Sequence, residues 1–173
     1  SLCYGLLMQI RNLLFDIHVL RSVSFPKLVI SVGNLSFGGT GKTPHIEYLI
    51  RLLQPHGLVA TLSRGYGRRG KGFLLGNAGS DVLHLGDEPV QYLKKFEHLI
   101  VAVDESRKRG IQNLIQQFPT LSMILLDDAF QHRYVKPELS ILLTDYHQLY
   151  TEDFVAPSGT LREFRSNAVR ADI

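Results

Sequence analysis

Gly38, Gly39, Thr40, Gly41, Lys42 and Thr43 follow an apolar run and open a helical stretch, an order of residue types suited to holding a polyphosphate. Glycines let main-chain N–H groups close around phosphate oxygens without a Cβ in the way. A helix starting there turns its positive end toward the same anion. Lys42 is placed to reach the terminal phosphates of ATP, and the Thr43 hydroxyl to serve as a ligand of Mg2+. The usual first glycine of such a loop is replaced by Ser36, so the segment fits a Gly-Gly-x-Gly-Lys-Thr variant entered through Ser36 and Phe37.

Phosphoryl transfer also needs acids, one to hold the metal and one to orient the attacking hydroxyl. Asp127 and Asp128 end an apolar run, where open α/β sheets gather their sites, although two acids at a strand end also serve as helix caps. Asp87 and Glu88 stand before Pro89, and by spacing alone Asp87 reads as an N-cap with Pro89 as an early helical residue. His132 suits either a phosphate or metal contact or a structural histidine. Arg64, Arg68, Arg69 and Lys71 lie in a glycine-rich loop, and Arg64, closest to the preceding apolar run, is the best placed to hold an anion.

The elements that position these groups follow from hydrophobic period. Runs of Val, Ile and Leu at 28–32, 58–62, 99–103, 123–126 and 139–143 predict buried strands, with helices at 43–53, 88–96 and 106–118 between them. Continuous apolar strands joined by helices predict an α/β fold with a mostly parallel sheet covered on both faces. Residues 73–75 and 82–85 are expected to form a small hairpin. Residues 2–20 repeat apolar side chains at helical spacing, through Leu2, Leu6, Ile10, Leu13, Ile17 and Leu20. That stripe fits a helix packed on its own domain or one lying on a membrane surface. Arg11, Asp16, His18 and Arg21 interrupt it short of the roughly 18–20 apolar residues a bilayer span requires.

The chain has 173 residues, 45% hydrophobic and 20% charged, with a net charge of +3. That is one ordinary folded domain with a mild preference for anions, without the basicity of a dedicated nucleic-acid binder. A single cysteine, Cys3, excludes an internal disulfide and reads as a small apolar residue on a helix face. The final Ala171, Asp172 and Ile173 read like the run into another strand, as in a piece of a longer protein.

Six segments together resemble the tetraacyldisaccharide 4′-kinase family, which phosphorylates a lipid A precursor. They are 31–34, 38–44, 62–66, 86–89, 127–132 and 157–163, in the family's order. The resemblance implies a P-loop kinase domain over 26–173, preceded over 1–25 by a membrane-associating amphipathic helix, and a second C-terminal domain beyond this chain. It implies transfer of the γ-phosphate of ATP to the 4′-hydroxyl of an acylated glucosamine disaccharide 1-phosphate, at the cytoplasmic face of the inner membrane, with no nucleic-acid partner. Asp87 then corresponds to the acid that activates the hydroxyl, with Lys42, Asp128 and His132 beside it in catalysis. Thr43, Glu88, Asp127, Asp128 and Glu163 correspond to the metal site. Arg64, Tyr66, Arg107, Gln131 and Arg162 correspond to residues of the substrate cleft. Ala129 stands where the family commonly has glycine, which predicts strain if that position takes positive φ.

Two other readings use the same loop. One is an ATP-driven switch protein, disfavoured because Phe37 stands where such proteins usually carry a lysine. The other is a soluble small-molecule kinase, for which the N-terminal stripe is ordinary core.

Overall fold

The Val, Ile and Leu runs form strands of one six-stranded sheet in the computed structural model, which describes residues 2–173. The side chains of Leu2 and Cys3 lie outside what it describes, and with them the expectation for Cys3. Along the chain the elements are α1 (Leu2–Asp16), β1 (Leu28–Asn34), α2 (Lys42–Leu53), β2 (Leu58–Ser63), β3 (Leu74–Leu75), α3 (Val82–Leu85), α4 (Asp87–Lys95), β4 (Ile100–Val103), α5 (Arg107–Gln117), β5 (Leu121–Asp127) and β6 (Leu139–Leu143).

The strand order is β3-β4-β2-β5-β1-β6. Every pairing is parallel except that of β3 with β4. Parallel strands need crossovers, so helices cover both faces. Ile46 and Ile50 of α2 and Tyr92 of α4 pack with Ile30, Val32, Val59 and Leu125 on one face. Ile111 and Leu114 of α5 pack with Val29, Leu62, Ile124 and Leu126 on the other. The order also places the C-terminal ends of β1, β5 and β2 side by side, which is what assembles the site.

One expectation changes. Residues 82–85 do not pair with 73–75. They wind into the short helix α3, because Asp81 accepts the His84 N–H at 2.9 Å and so caps a turn. Leu74–Leu75 instead adds to the edge of β4, Leu74 opposite Val103. For α1 two packings were open. Its inward face is Gly5, Asn12 and Phe15, the last meeting Tyr134 edge-on at 5.0 Å between ring centres. Leu6, Leu7, Ile10, Leu13 and the following Ile17 remain 51–64% exposed, so the apolar stripe points away from the domain. At the other end of the chain, Ile173 exchanges backbone hydrogen bonds with Ser140 and Leu142 and lies along β6.

Candidate active site

β1 ends at Asn34, and the chain turns through residues 35–41 before α2 begins at Lys42. Gly38 (φ 111°) and Gly41 (φ 76°) take the left-handed region that the turn demands. No side chain caps the start of α2. Among the described residues, the backbone amides of 38–43 donate no hydrogen bond to the protein. They are a free set of donors at the positive end of a helix. The Thr40 hydroxyl is buried there without a partner.

The near limb of this loop is stitched to residues 160–162. Phe37 N–H donates to the Thr160 carbonyl and Arg162 N–H to that of Leu35, each at 2.7 Å. The Arg162 guanidinium lies 5.3 Å over the Phe37 ring. Lys42 Nζ donates to Asn34 Oδ1 at 3.2 Å and stands 3.6 Å from Asp128 Oδ1.

The acids arrive from the neighbouring strand. Val32 and Asp127 are register partners of β1 and β5, which puts Asp127 beside the loop. Asp127 is buried and accepts the Tyr92 hydroxyl at 2.9 Å. Burial pushes its carboxyl up to about 6; the Tyr92 hydroxyl works against the shift, while Asp128 and Glu88 add to it. Burial, with Asp127 alongside, drives the Tyr92 phenol far upward; Thr43 and Glu88 lie near enough to act on it too, the first against the shift and the second with it. Thr43, Tyr92, Glu88 and Asp127 therefore share one corner. Asp128 turns away with φ 49°, a conformation Asp tolerates, and both its oxygens lie 2.9 Å from Arg162 Nη1. The positive φ thus falls on Asp128 and not on Ala129, so the alanine brings no strain.

Asp87 is the first residue of α4, after Gly86, and its side chain caps nothing. That corrects the N-cap reading and leaves an exposed carboxylate at the mouth of the site. Gly86 (φ 94°) touches the loop after β2 so closely that a Cβ would lie 2.8 Å from the Tyr66 carbonyl. Arg64 and Tyr66 are exposed on that loop, whose backbone at Gly65 and Tyr66 touches Gly86, the residue before Asp87. Arg68 turns inward to Glu105, which also accepts the Gly72 N–H at 2.9 Å and so holds the loop's shape.

Four residues expected in the cleft do other work. Arg107 is buried and donates to the carbonyls of Asp104 at 3.0 Å and Asp127 at 3.3 Å, bracing strand ends from beneath. His132 Nε2 stands 3.1 Å from the Arg107 backbone nitrogen and 3.0 Å from the Glu105 carbonyl, tied to the backbone at the start of α5. Burial and the cations Arg107, Arg11 and Arg64 hold its ring down to about 4, so it is neutral and no ready proton donor at neutral pH. Glu163 stands outside the acid corner, saturated by Asn12 at 2.7 Å, Gln131 at 3.1 Å and Arg170 at 2.7 Å. Gln131 also donates to the Asn34 carbonyl at 2.9 Å, which makes it a brace under the loop instead of a free substrate contact. Arg162 is at the mouth as expected but is committed to Asp128. Asn34 and Tyr92 were not singled out from sequence. A polar residue closing an apolar strand and a tyrosine one helical turn after Glu88 were their signals.

Hard oxygen donors at Thr43, Glu88 and Asp127 suit Mg2+. Among the described residues no three acids, histidines or cysteines converge into a ready cage. A separate cavity of about 930 Å³ lies on the α5 face, bordered by Ser31, His132, Arg133 and Ser140, away from the free amides.

A family model described as Tetraacyldisaccharide-1-P 4′-kinase matches residues 1–173. The chain belongs to this family. The tetraacyldisaccharide 4′-kinase of Flavobacterium johnsoniae is 55% identical over 173 residues, covering 100% of this chain and 51% of the relative. That of Bacteroides thetaiotaomicron is 53% identical over 174 residues, covering 100% and 46%. A crystal structure of LpxK from Aquifex aeolicus in complex with ATP superimposes with a TM-score of 0.91 at 38% identity, over 99% of this chain and 55% of that one. The chain therefore spans about half the length of the tetraacyldisaccharide 4′-kinases it matches.

Proposed function

We propose that this chain is the nucleotide-binding part of a kinase that moves the γ-phosphoryl group of ATP to the 4′-hydroxyl of a tetraacylated glucosamine disaccharide 1-phosphate. The observation that carries the reading is the run of free amides before an uncapped helix, with Lys42 and the Asp127 corner beside it, in a chain of this family. The amides and Lys42 hold and neutralise the phosphates. Thr43, Glu88 and Asp127 hold Mg2+, which supplies further charge neutralisation when bound with the nucleotide. Asp87 takes or orients the proton of the sugar hydroxyl, while Arg64 and Tyr66 face the same mouth.

The outward apolar row of α1, with Arg21 and Lys27 just beyond it, supports residence on the anionic cytoplasmic face of the inner membrane, where an acylated substrate lies. No helix among the described residues is long and apolar enough to cross a bilayer. The test is to incubate the full-length protein with labelled ATP and the acylated disaccharide, then locate the new phosphate. Label at the 4′ position is the expected result; ATP hydrolysis without acceptor labelling would overturn the reading.

A further inference from the structure

α2 carries one buried charge, Glu47, between the core residues Ile46 and Ile50. Its carboxylate is divided between two residues of α4. Gln91 Nε2 donates to Oε1 at 2.8 Å, and Lys95 Nζ donates to Oε2. Arg51, one turn further on α2, lies 3.7 Å from the same carboxylate and 5.0 Å over the Phe96 ring. Gln54 closes the seam by donating to the Glu97 carbonyl at 2.7 Å. The Lys95 hydrogen bond holds the Glu47 carboxyl below the usual range, so it is a carboxylate at neutral pH.

The two helices joined here start at the two halves of the site. α2 begins with Lys42 and Thr43, α4 with Asp87 and Glu88. Glu47 sits one turn beyond Thr43, and Gln91 one turn beyond Asp87. Glu47 is buried but Lys95 is 44% exposed, so the ionic part of the pair adds little stability, and an apolar residue at 47 would hold the helices about as firmly. Directional bonds from a single carboxylate to two α4 side chains do what an apolar contact cannot. They fix how far α4 is slid along α2, while Tyr92 ties the other side of α4 to Asp127.

From this geometry, and resting on the kinase reading, we infer that Glu47 is a positioning residue that sets Asp87 and Glu88 in register with the phosphate loop. It touches neither nucleotide nor acceptor; it acts through α4.

The experiment uses the full-length protein with Glu47→Leu, Glu47→Gln and the exchange Glu47→Lys with Lys95→Glu. Glu47→Leu is expected to melt as late as the unsubstituted protein yet, assayed well below the melting temperature, to lose about ten- to a hundredfold in kcat, with the KM for ATP moving less than about twofold. Glu47→Gln falls between, and the exchange recovers activity. Unchanged kcat in Glu47→Leu overturns the inference, and so does a loss of kcat matched by lost ATP binding that the exchange leaves unrepaired. If the unsubstituted protein transfers no phosphate, the kinase reading fails, and amide hydrogen exchange then decides the matter alone. Faster exchange in Glu47→Leu confined to α4, with α5 unchanged, supports the positioning role; unchanged α4 overturns it.

Discussion

Lys42 Nζ lies 3.6 Å from Asp128 Oδ1, across the mouth of a loop whose own amides point at nothing in the protein. Asn34 and Asp128 together hold the ammonium on its flexible stem beside the place where phosphates would sit. Asp128 keeps Arg162 when the lysine is removed. Lys42→Met is therefore expected to leave the melting temperature nearly unchanged and to cut kcat about a hundred- to a thousandfold, as losing one aimed positive donor does. Steady-state kinetics beside a thermal melt would show it, and a collapse in melting temperature would contradict it.

Asp87 gives a cleaner separation of chemistry from stability. Its carboxylate is exposed and caps no helix. Asp87→Asn should melt like the parent protein and lose about a hundred- to ten-thousandfold in kcat, the range of a positioned general base.

Glu163 behaves in the opposite way. It neutralises the half-buried Arg170 and accepts from Asn12 and Gln131. Glu163→Ala strands Arg170 and should cost about 3 kcal/mol of stability. Chemical denaturation of this 173-residue chain is the measurement. A Glu163→Ala protein as stable as the parent would contradict this structural role.

Asp127 and His132 impose opposite pH slopes on the nucleotide-free fold. Between pH 3.8 and about 6, native Asp127 keeps a proton that the unfolded chain has released, so its contribution to stability falls as pH rises. Between pH 6.5 and about 4, the unfolded histidine takes a proton that native His132 refuses, so its contribution falls as pH drops. Each is worth about 3 kcal/mol across its window, at about 1.4 kcal/mol per pH unit, and in the overlap they offset each other. Urea unfolding at successive pH values should show Asp127→Asn losing stability more steeply in acid. His132→Gln should instead weaken as the pH rises toward about 6.

The outward row of α1 can be tested without catalysis. Ile10→Asp and Leu13→Asp each remove an exposed apolar side chain, so folding stability should barely change. Binding to vesicles of anionic phospholipid should weaken about tenfold or more for each, the worth of one buried aliphatic side chain. Equal binding by both variants and the parent would remove the membrane role.

The sheet was legible because Val, Ile and Leu runs in parallel strands are apolar on both faces, and only a few lengths of chain could supply them. The loop was legible because glycine, lysine and threonine in that order have few other uses. Side-chain direction was not. Arg107, His132 and Glu163 look like cleft residues by type, yet each points into a hydrogen-bonded interior, and nothing in a polar residue's identity says which way it faces. Residues 82–85 were ambiguous because four residues suit a strand or a turn equally, and the cap at Asp81 decided it. The α1 stripe revealed its period but not what it met.

A chain of hydrogen bonds leads from that helix inward: Asn12 to Glu163, Glu163 to Gln131, Gln131 to the Asn34 carbonyl, with Lys42 on the Asn34 side chain. Anyone trimming the greasy first segment to ease purification would thus be cutting the last strut of the nucleotide pocket. Detergent is the safer remedy for its stickiness, because the outer surface of the helix can be masked while its inner surface stays bonded.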